Sequence, residues 1–404
     1  MAVNLVAPEP ESLHPVPGVD LGVAMAGIKR TNRKDLLLIR LAAGARTAGV
    51  FTQNRFCAAP VLLAKQHLAQ GAPRALVINT GNANAGTGDD GMTRAGSVCE
   101  AVARHLGCAA HEILPFSTGV IMEPLPSERI IAGIRAAVAD LRESNWASAA
   151  EAIMTTDTVA KAASRRVRLS TGVATVTGIA KGAGMIHPNM ATMLGFVATD
   201  ARMPQAVLER MLREITEASF NSITVDGDTS TNDSFVLISS GAGPAAEGEG
   251  DLRALADAIR EVAIDLAQSI VRDGEGATKF VTVRVEQGVA IDEARRVAFA
   301  IAHSPLVKTA FFASDPNLGR ILAAIGNADV IDLDAGKVDL YIDEVLVARG
   351  GARSPEYRES QGIEAMKKPE FTVRAVLHRG SAAATVWTCD FSFDYVKINA
   401  EYRT

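Results

Sequence analysis

The chain has 404 residues, 48% of them hydrophobic, enough for one large domain or two to three smaller ones with sizeable cores. A net charge of −5 argues against nucleic acid or an anionic membrane as the main partner, though a small anionic substrate needs only local cations. Aromatic residues make up only 5%, which favours tightly packed α/β layers over an aromatic-rich recognition surface.

In chain order, strand-like apolar runs fall at Leu21–Ile28, Leu36–Ala42, Ala48–Thr52 and Ala75–Asn79. The last enters a turn-rich loop, Thr80–Gly86. Periodicity predicts a helix over Thr93–His105, a loop at Pro115–Gly119, and a helix capped by Ser127 that reaches Arg142. A short Ala-rich helix from Ser148 ends in Thr155-Thr156-Asp157-Thr158. Val173, Thr175, Thr177 and Ile179 then alternate as a strand does. Further on, an amphipathic helix is expected over Pro204–Phe220, with Val207, Met211, Leu212 and Ile215 on one face. A strand at Phe235–Ile238 and a long helix over Leu252–Arg272 follow, the helix ending at the turn Asp273-Gly274-Glu275-Gly276. Val281–Val285 reads as a strand, Ser314–Gly319 leads into a short helix, and strands at Lys337–Ile342 and Phe391–Val396 close the chain. Gly241–Gly250 is an expected surface loop. No Pro/Ser-rich linker separates the halves, so one interleaved α/β unit is expected.

Four cysteines (Cys57, Cys99, Cys108, Cys389) form no CxxC pair, which fits a reducing compartment. Met1–Ser12 carries neither a basic n-region nor an apolar h-region, so the expected location is cytoplasmic. The seven histidines include no HExxH spacing, and Gly182-x-Gly184 lacks the third glycine of a dinucleotide loop. Asp226, Asp228 and Asp233 look like a cation loop, but EF-hand spacing fails, and a turn bracing its neighbours is the better reading.

The stretch with the most chemistry is Lys181-Gly182-Ala183-Gly184-Met185-Ile186-His187-Pro188-Asn189-Met190-Ala191-Thr192, followed by the apolar run Met193–Thr199. A threonine between a Gly- and Pro-rich loop and a buried strand is where an N-terminal nucleophile would stand if the chain were cut after Ala191. Its hydroxyl could attack the Ala191 carbonyl in an N-to-O acyl shift, and hydrolysis would free an α-amine. With a reference pKa near ~7.7–8.0, that amine can act as base for its own hydroxyl. A plain strand start is the alternative, since Thr is a good strand former.

This segment resembles the self-cleavage segment of the ornithine acetyltransferase family, the glutamate N-acetyltransferases of arginine biosynthesis. The resemblance continues in Ser117-Thr118-Gly119, in the run Asp226–Ser234, in Asp315-Pro316-Asn317, and in Tyr395–Thr404. One departure is Leu318, where the family pattern has Trp.

The resemblance implies a layered α/β/β/α sandwich of the self-processing N-terminal nucleophile type, with family-specific connectivity. It implies cleavage into chains 1–191 and 192–404 that pair again into a heterotetramer. Thr192 would be the nucleophile, and Thr118 and Gly119 the oxyanion pair. Thr155, Lys181, Thr192, Glu275, Asn399 and Thr404 would contact substrate. Read without the family, Ser117-Thr118-Gly119 is an ordinary turn, Lys181 a solvated strand end and Glu275 an acidic loop residue. The implied reaction moves acetyl from N-acetylornithine to glutamate through an acetyl-Thr192 ester, with no metal or cofactor. Family members differ in whether acetyl-CoA also serves as donor, and both readings stay open here. Two rivals remain: an N-terminal nucleophile aminopeptidase or amidase with water as acceptor, and a small-metabolite binding protein that never cleaves.

Overall fold

The computed structural model describes residues 2–187 and 193–401, so Ala191, Thr192 and Thr404 lie outside the described residues. The chain gathers into two compact units. The larger consists of Ala7–Asn221 and Asp228–Ile270; the smaller consists of the residues through Val6, Ser222–Gly227, and the chain from Val271 onward.

The larger unit contains β1 (Val19–Ala24), β2 (Leu36–Leu41), β3 (Arg46–Phe51), α1 (Ala59–Gln70), β4 (Ala75–Asn82), α2 (Gly88–Leu106), β5 (Ile113–Val120), α3 (Ser127–Ala139) and α4 (Trp146–Ala152). It continues with β6 (Lys161–Leu169), β7 (Gly172–Lys181), β8 (Leu194–Thr199), α5 (Gln205–Ala218), β9 (Ser234–Ser239) and α6 (Gly248–Arg272), whose last two residues fall in the smaller unit. Two sheets form, ordered β1-β2-β4-β5 and β3-β9-β8-β7-β6.

The period-2 rule of a strand explains how the layers stack. On β2, Leu37, Ile39 and Leu41 enter a core shared with Phe196 of β8 and Val236 and Ile238 of β9. Leu36 and Leu38 face the other way, onto Val98 and Val102 of α2 and Ile130 and Ile134 of α3. The first sheet is therefore covered on both faces over most of its length, which is why its strands read as largely apolar runs, with Asp20 and Arg40 paired where β1 and β2 reach solvent. Phe116 of β5 meets Phe196 edge to face at 5.1 Å, an arrangement that adds about 0.5–1.5 kcal/mol beyond the area buried. On the far side of the second sheet, Leu266 of α6 packs on Gly178 of β7. Phe220, just beyond α5, lies 4.7 Å from the Phe235 ring of β9, and α5 runs along β3 and β9. The order is helix, sheet, sheet, helix, the α/β/β/α sandwich expected.

The smaller unit contains β10 (Phe280–Gly288), α7 (Ile291–His303), α8 (Pro305–Phe312), α9 (Leu318–Gly326), β11 (Asp339–Ile342), β12 (Val345–Arg349), β13 (Ala352–Arg353), α10 (Glu359–Lys367), β14 (Glu370–Val376), β15 (Ala382–Cys389) and α11 (Phe393–Ala400). Its six-stranded sheet runs β13-β12-β11-β14-β10-β15, with β10 and β14 parallel. Val281, Val283 and Val285 of β10 pack with Val297 and Ile301 of α7 and Phe311 of α8. Asn317 accepts the Arg320 N–H at 3.2 Å and caps α9. Leu318, the first residue of that helix, packs on the same core, so an apolar contact is kept where the family has Trp.

Three expectations are corrected. Pro115–Gly119 is not a loop but part of β5, parallel to β4 from Ile113 to Gly119. As the last strand in its sheet, β5 tolerates a proline that cannot donate to a ladder. Phe391–Val396 is not a strand: Ser392 Oγ accepts the Asp394 N–H at 3.2 Å and starts α11. The spacing that suggested a strand also fits i, i+4, and the Phe391 and Tyr395 rings stack at 4.7 Å. In α5 the buried face uses Leu208 where Val207 was expected, and Val207 is half-buried. Among the described residues no helix is long and apolar enough to cross a membrane.

Candidate active site

In the larger unit the two sheets bring their strand ends together around Lys181. β7 and β8 are antiparallel, with Lys181 opposite Leu194. β8 is parallel to β9, and Ser234 N–H donates to Met193 O at 3.0 Å. Met193 N–H, the amide covalently attached to the carbonyl of Thr192, donates to Asp233 Oδ1 at 3.0 Å. Met193, at the start of β8, is thus held through both its N–H and its carbonyl.

Thr118 and Gly119 stand at the end of β5, where the pairing with β4 shifts register at Gly81/Asn82. Gly119 has φ +137°, and a Cβ there would lie 2.3 Å from the Gly81 carbonyl carbon, so only glycine fits. Lys181 is buried at 5% exposure, not solvated, and its Nζ donates to Thr118 Oγ1 at 3.2 Å. The side chain of Asn232 ties the loop before β9 to this corner, donating to Ala83 O at 2.7 Å and Ser117 O at 2.8 Å.

Two acids face the lysine. Asp157 is fully buried, and its Oδ1 accepts from Lys161 Nζ at 2.6 Å and from Gly182 N–H at 2.7 Å. Its Oδ2 accepts Thr155 N–H at 2.9 Å. Burial alone would push this carboxyl up; the Lys161 charge, then that of Lys181, then the Gly182 amide outweigh it and hold the group below the usual carboxylate range. Asp233 is the opposite case. Burial pushes its carboxyl well above the ordinary range, against the Met193 amide and the Lys181 charge, and among the described residues its buried Oδ2 has no hydrogen-bond partner. Thr52, close to it, gives its hydroxyl proton to Ser230 O at 2.8 Å. Lys161 and Lys181 thus both favour the charged form of Asp157, while burial works against the charged form of Asp233. A lysine held at such a strand end suits a substrate carboxylate or a developing oxyanion.

In the smaller unit, Asn399 Nδ2 donates to Glu275 Oε2 at 3.0 Å and to Tyr395 O at 3.0 Å. Glu275 is buried at 9% exposure, although its sequence context is that of a loop acid. The turn is pinned to α11 because Ser392 Oγ donates to Gly276 O at 2.6 Å. Gly276 (φ +71°) lies so close that a Cβ would come within 2.4 Å of Tyr395 N. Asp390 accepts from Thr278 N, Thr278 Oγ1 and Lys279 N at 2.6–2.8 Å, fixing the other side of the turn.

The structure thus brings Lys181 to Thr118 in one unit and Asn399 to Glu275 in the other. Asp157, Lys161 and Asn232 escaped the sequence reading. The signal present was Asp157 and Lys161 at i, i+4 beside the strand that carries Lys181, but spacing does not reveal burial.

A profile of the ArgJ family matches residues 20–404. The chain belongs to the ArgJ family. This is the acetyltransferase family of arginine biosynthesis that its motifs resemble. Among solved structures, the arginine biosynthesis bifunctional protein argJ of Bacillus halodurans is 38% identical over 52% of this chain and all of its own, with a TM-score of 0.50. An ornithine acetyltransferase from Mycobacterium tuberculosis, solved with ornithine, is 37% identical over 43% of this chain and 93% of its own, with a TM-score of 0.39. The L-aminopeptidase D-Ala-esterase/amidase of Ochrobactrum anthropi is 12% identical over 67% of this ArgJ-family chain and 88% of its own, with a TM-score of 0.42.

Proposed function

We propose that this ArgJ-family acetyltransferase cuts itself between Ala191 and Thr192 and moves acetyl from N-acetylornithine to glutamate through an ester on Thr192. The observation that carries the reading is the Lys181 side chain. Its residue pairs with Leu194, two positions after Thr192, and its ammonium reaches Thr118 beside Gly119.

In the first half-reaction Thr192 Oγ1 attacks the acetyl carbonyl while the α-amine of Thr192 takes the hydroxyl proton. The oxyanion is stabilised by the Thr118 hydroxyl and the Gly119 N–H. The C–N bond then breaks, the proton passes to the departing amine, and ornithine leaves. Glutamate's amine attacks the ester in the second half-reaction and Thr192 is restored. Lys181 and Thr155 would hold the substrate carboxylate, and Glu275 with Asn399 and Thr404 the free amine and polar groups. No cofactor enters the scheme. The pieces 1–191 and 192–404 would assemble as two copies of each, in the cytoplasm.

Kinetics test the reading. Varying both substrates should give parallel double-reciprocal lines, and enzyme quenched with N-acetylornithine alone should carry one acetyl group on the piece that begins at Thr192. Intersecting lines without trapped acetyl would mean direct transfer, and hydrolysis indifferent to glutamate would mean an amidase. Acetyl-CoA offered in place of N-acetylornithine decides whether it is a second donor.

A tail deletion tests the smaller-unit residues. Ala400 is the last residue of α11, directly after Asn399. Removing Ala400–Thr404 should leave the Ala191–Thr192 cut intact, because the attacked bond is internal and needs no substrate. KM for N-acetylornithine should rise roughly tenfold or more, the scale of losing hydrogen bonds to charged groups. Unchanged KM and kcat in the cut enzyme would remove the tail from the substrate site.

A further inference from the structure

Thr118 Oγ1 accepts a hydrogen bond from the Lys181 ammonium at 3.2 Å. A hydroxyl that accepts from an ammonium cannot aim its own proton back at that group, so the proton turns elsewhere and is polarised for donation. The direction of the Thr118 proton therefore depends on where the Lys181 charge is held. The obvious competitor is Asp157, a buried carboxylate that accepts from the backbone of Gly182, the residue next to Lys181. Oδ1 of Asp157 is already engaged by Lys161 Nζ at 2.6 Å, in an ion pair whose side chains are both wholly buried.

We infer that Lys161 and Asp157 are positioning residues for acetyl transfer: Lys161 engages the Asp157 carboxylate, which keeps the Lys181 ammonium on Thr118 and sets the direction of the Thr118 hydroxyl proton. The inference rests on Thr118 being the oxyanion donor. It adds two residues that touch neither substrate nor nucleophile. A purely structural pair would stabilise the fold and leave turnover per folded molecule unchanged; a positioning pair would not.

The decisive variant is Lys161→Met, which keeps the bulk of the stem and deletes the charge. Without Lys161, the Asp157 carboxylate should draw the Lys181 ammonium away from Thr118. A crystal structure of Lys161→Met should show Lys181 Nζ bonded to Asp157 and separated from Thr118 Oγ1. Per folded and cut molecule, kcat should fall about tenfold, less than the full loss of an oxyanion donor because the hydroxyl remains. Adding Asp157→Asn removes the competing charge, so the double variant should recover to within about threefold of wild-type kcat. In a Thr118→Val background, Lys161→Met should have no further effect on kcat.

Persistence of the Lys181–Thr118 contact in the Lys161→Met crystal overturns the inference whatever the activity. So does a kcat loss that adds independently to that of Thr118→Val, or a double variant slower than Lys161→Met alone. A wild-type enzyme that transfers no acetyl group refutes the proposed function instead, and the crystallographic arm still decides the arrangement of the two lysines. If Lys161→Met does not fold, Lys161→Gln supplies the same arms with a neutral amide in place of the charge.

Discussion

Thr192→Ala should run on a denaturing gel as one chain of 42.4 kDa, with no detectable acetyl transfer. Wild type should give two bands, the second beginning at Thr192. Met193 N–H is fixed by Asp233 and Met193 O by Ser234, so the chain enters β8 in one register. The hydroxyl one residue upstream is the only one in Pro188–Met193, and alanine removes it while preserving a small side chain. In the proposed scheme self-attack and acetyl transfer use the same oxygen, so a single substitution should abolish both. Loss of a covalent nucleophile commonly costs five to six orders of magnitude, as in serine hydrolases where roughly 10⁶ in kcat disappears. A Thr192→Ala chain that still divides at the same bond would mean that something other than Thr192 cuts it. Intact mass gives the junction to the residue.

Thr118→Ala should lower kcat by roughly 10²–10³, the range for one oxyanion donor in a water-excluded site. Thr118 is buried at the strand end, and its hydroxyl already accepts from Lys181. Alanine removes both the donor and the acceptor, leaving a buried ammonium short of one partner, so some stability should go as well. The oxyanion role and the structural role separate in the pattern. KM should move little while kcat collapses, and the cut at Ala191–Thr192 should be slow or partial because it passes through its own tetrahedral anion. Stopped-time samples on a gel follow the second effect. Activity within a few-fold of wild type in fully cut enzyme would take Thr118 out of the mechanism.

Much of the sandwich was readable because apolar periodicity maps directly onto faces. The apolar run Leu36–Ala42 read as a strand, and its leucines and isoleucine are buried on both faces of the sheet. The long helix was legible too, although α6 begins at Gly248, four residues before the expected Leu252. Misreadings arose where local chemistry competes with pairing. Pro115 and Gly119 suggested a loop, yet a parallel partner, β4, holds them extended. Phe391, Phe393 and Tyr395 satisfy a period of two, but a serine cap and an i, i+4 ring stack make a helix of the last two and their followers. At the site, the family resemblance pointed to Thr118 and Lys181, but not to their 3.2 Å contact. Asp157 and Lys161 were invisible for a different reason. Charged residues four apart normally signal an exposed helical pair; here they are wholly buried beside a strand, a consequence of long-range packing alone.

The sheet order β3-β9-β8-β7-β6 places two strands from beyond residue 192 between strands from before residue 191. β9 is laced to β3 from Arg46 to Phe51, and β8 to β7 from Val176 to Lys181. Strands from either side of residue 192 alone cannot complete this sheet, so the corner formed by Lys181, Thr118 and Asp233 exists only after segments from both halves of the chain have come together. Under the proposed cut, maturation has a built-in chronology: assembly is a first-order event within one molecule, and a later scission would erase the covalent memory of how the strands found each other. Once cut and unfolded, the same partners must meet by diffusion, at a rate set by their concentration, with an exposed central strand pair as the hazard of every failed encounter.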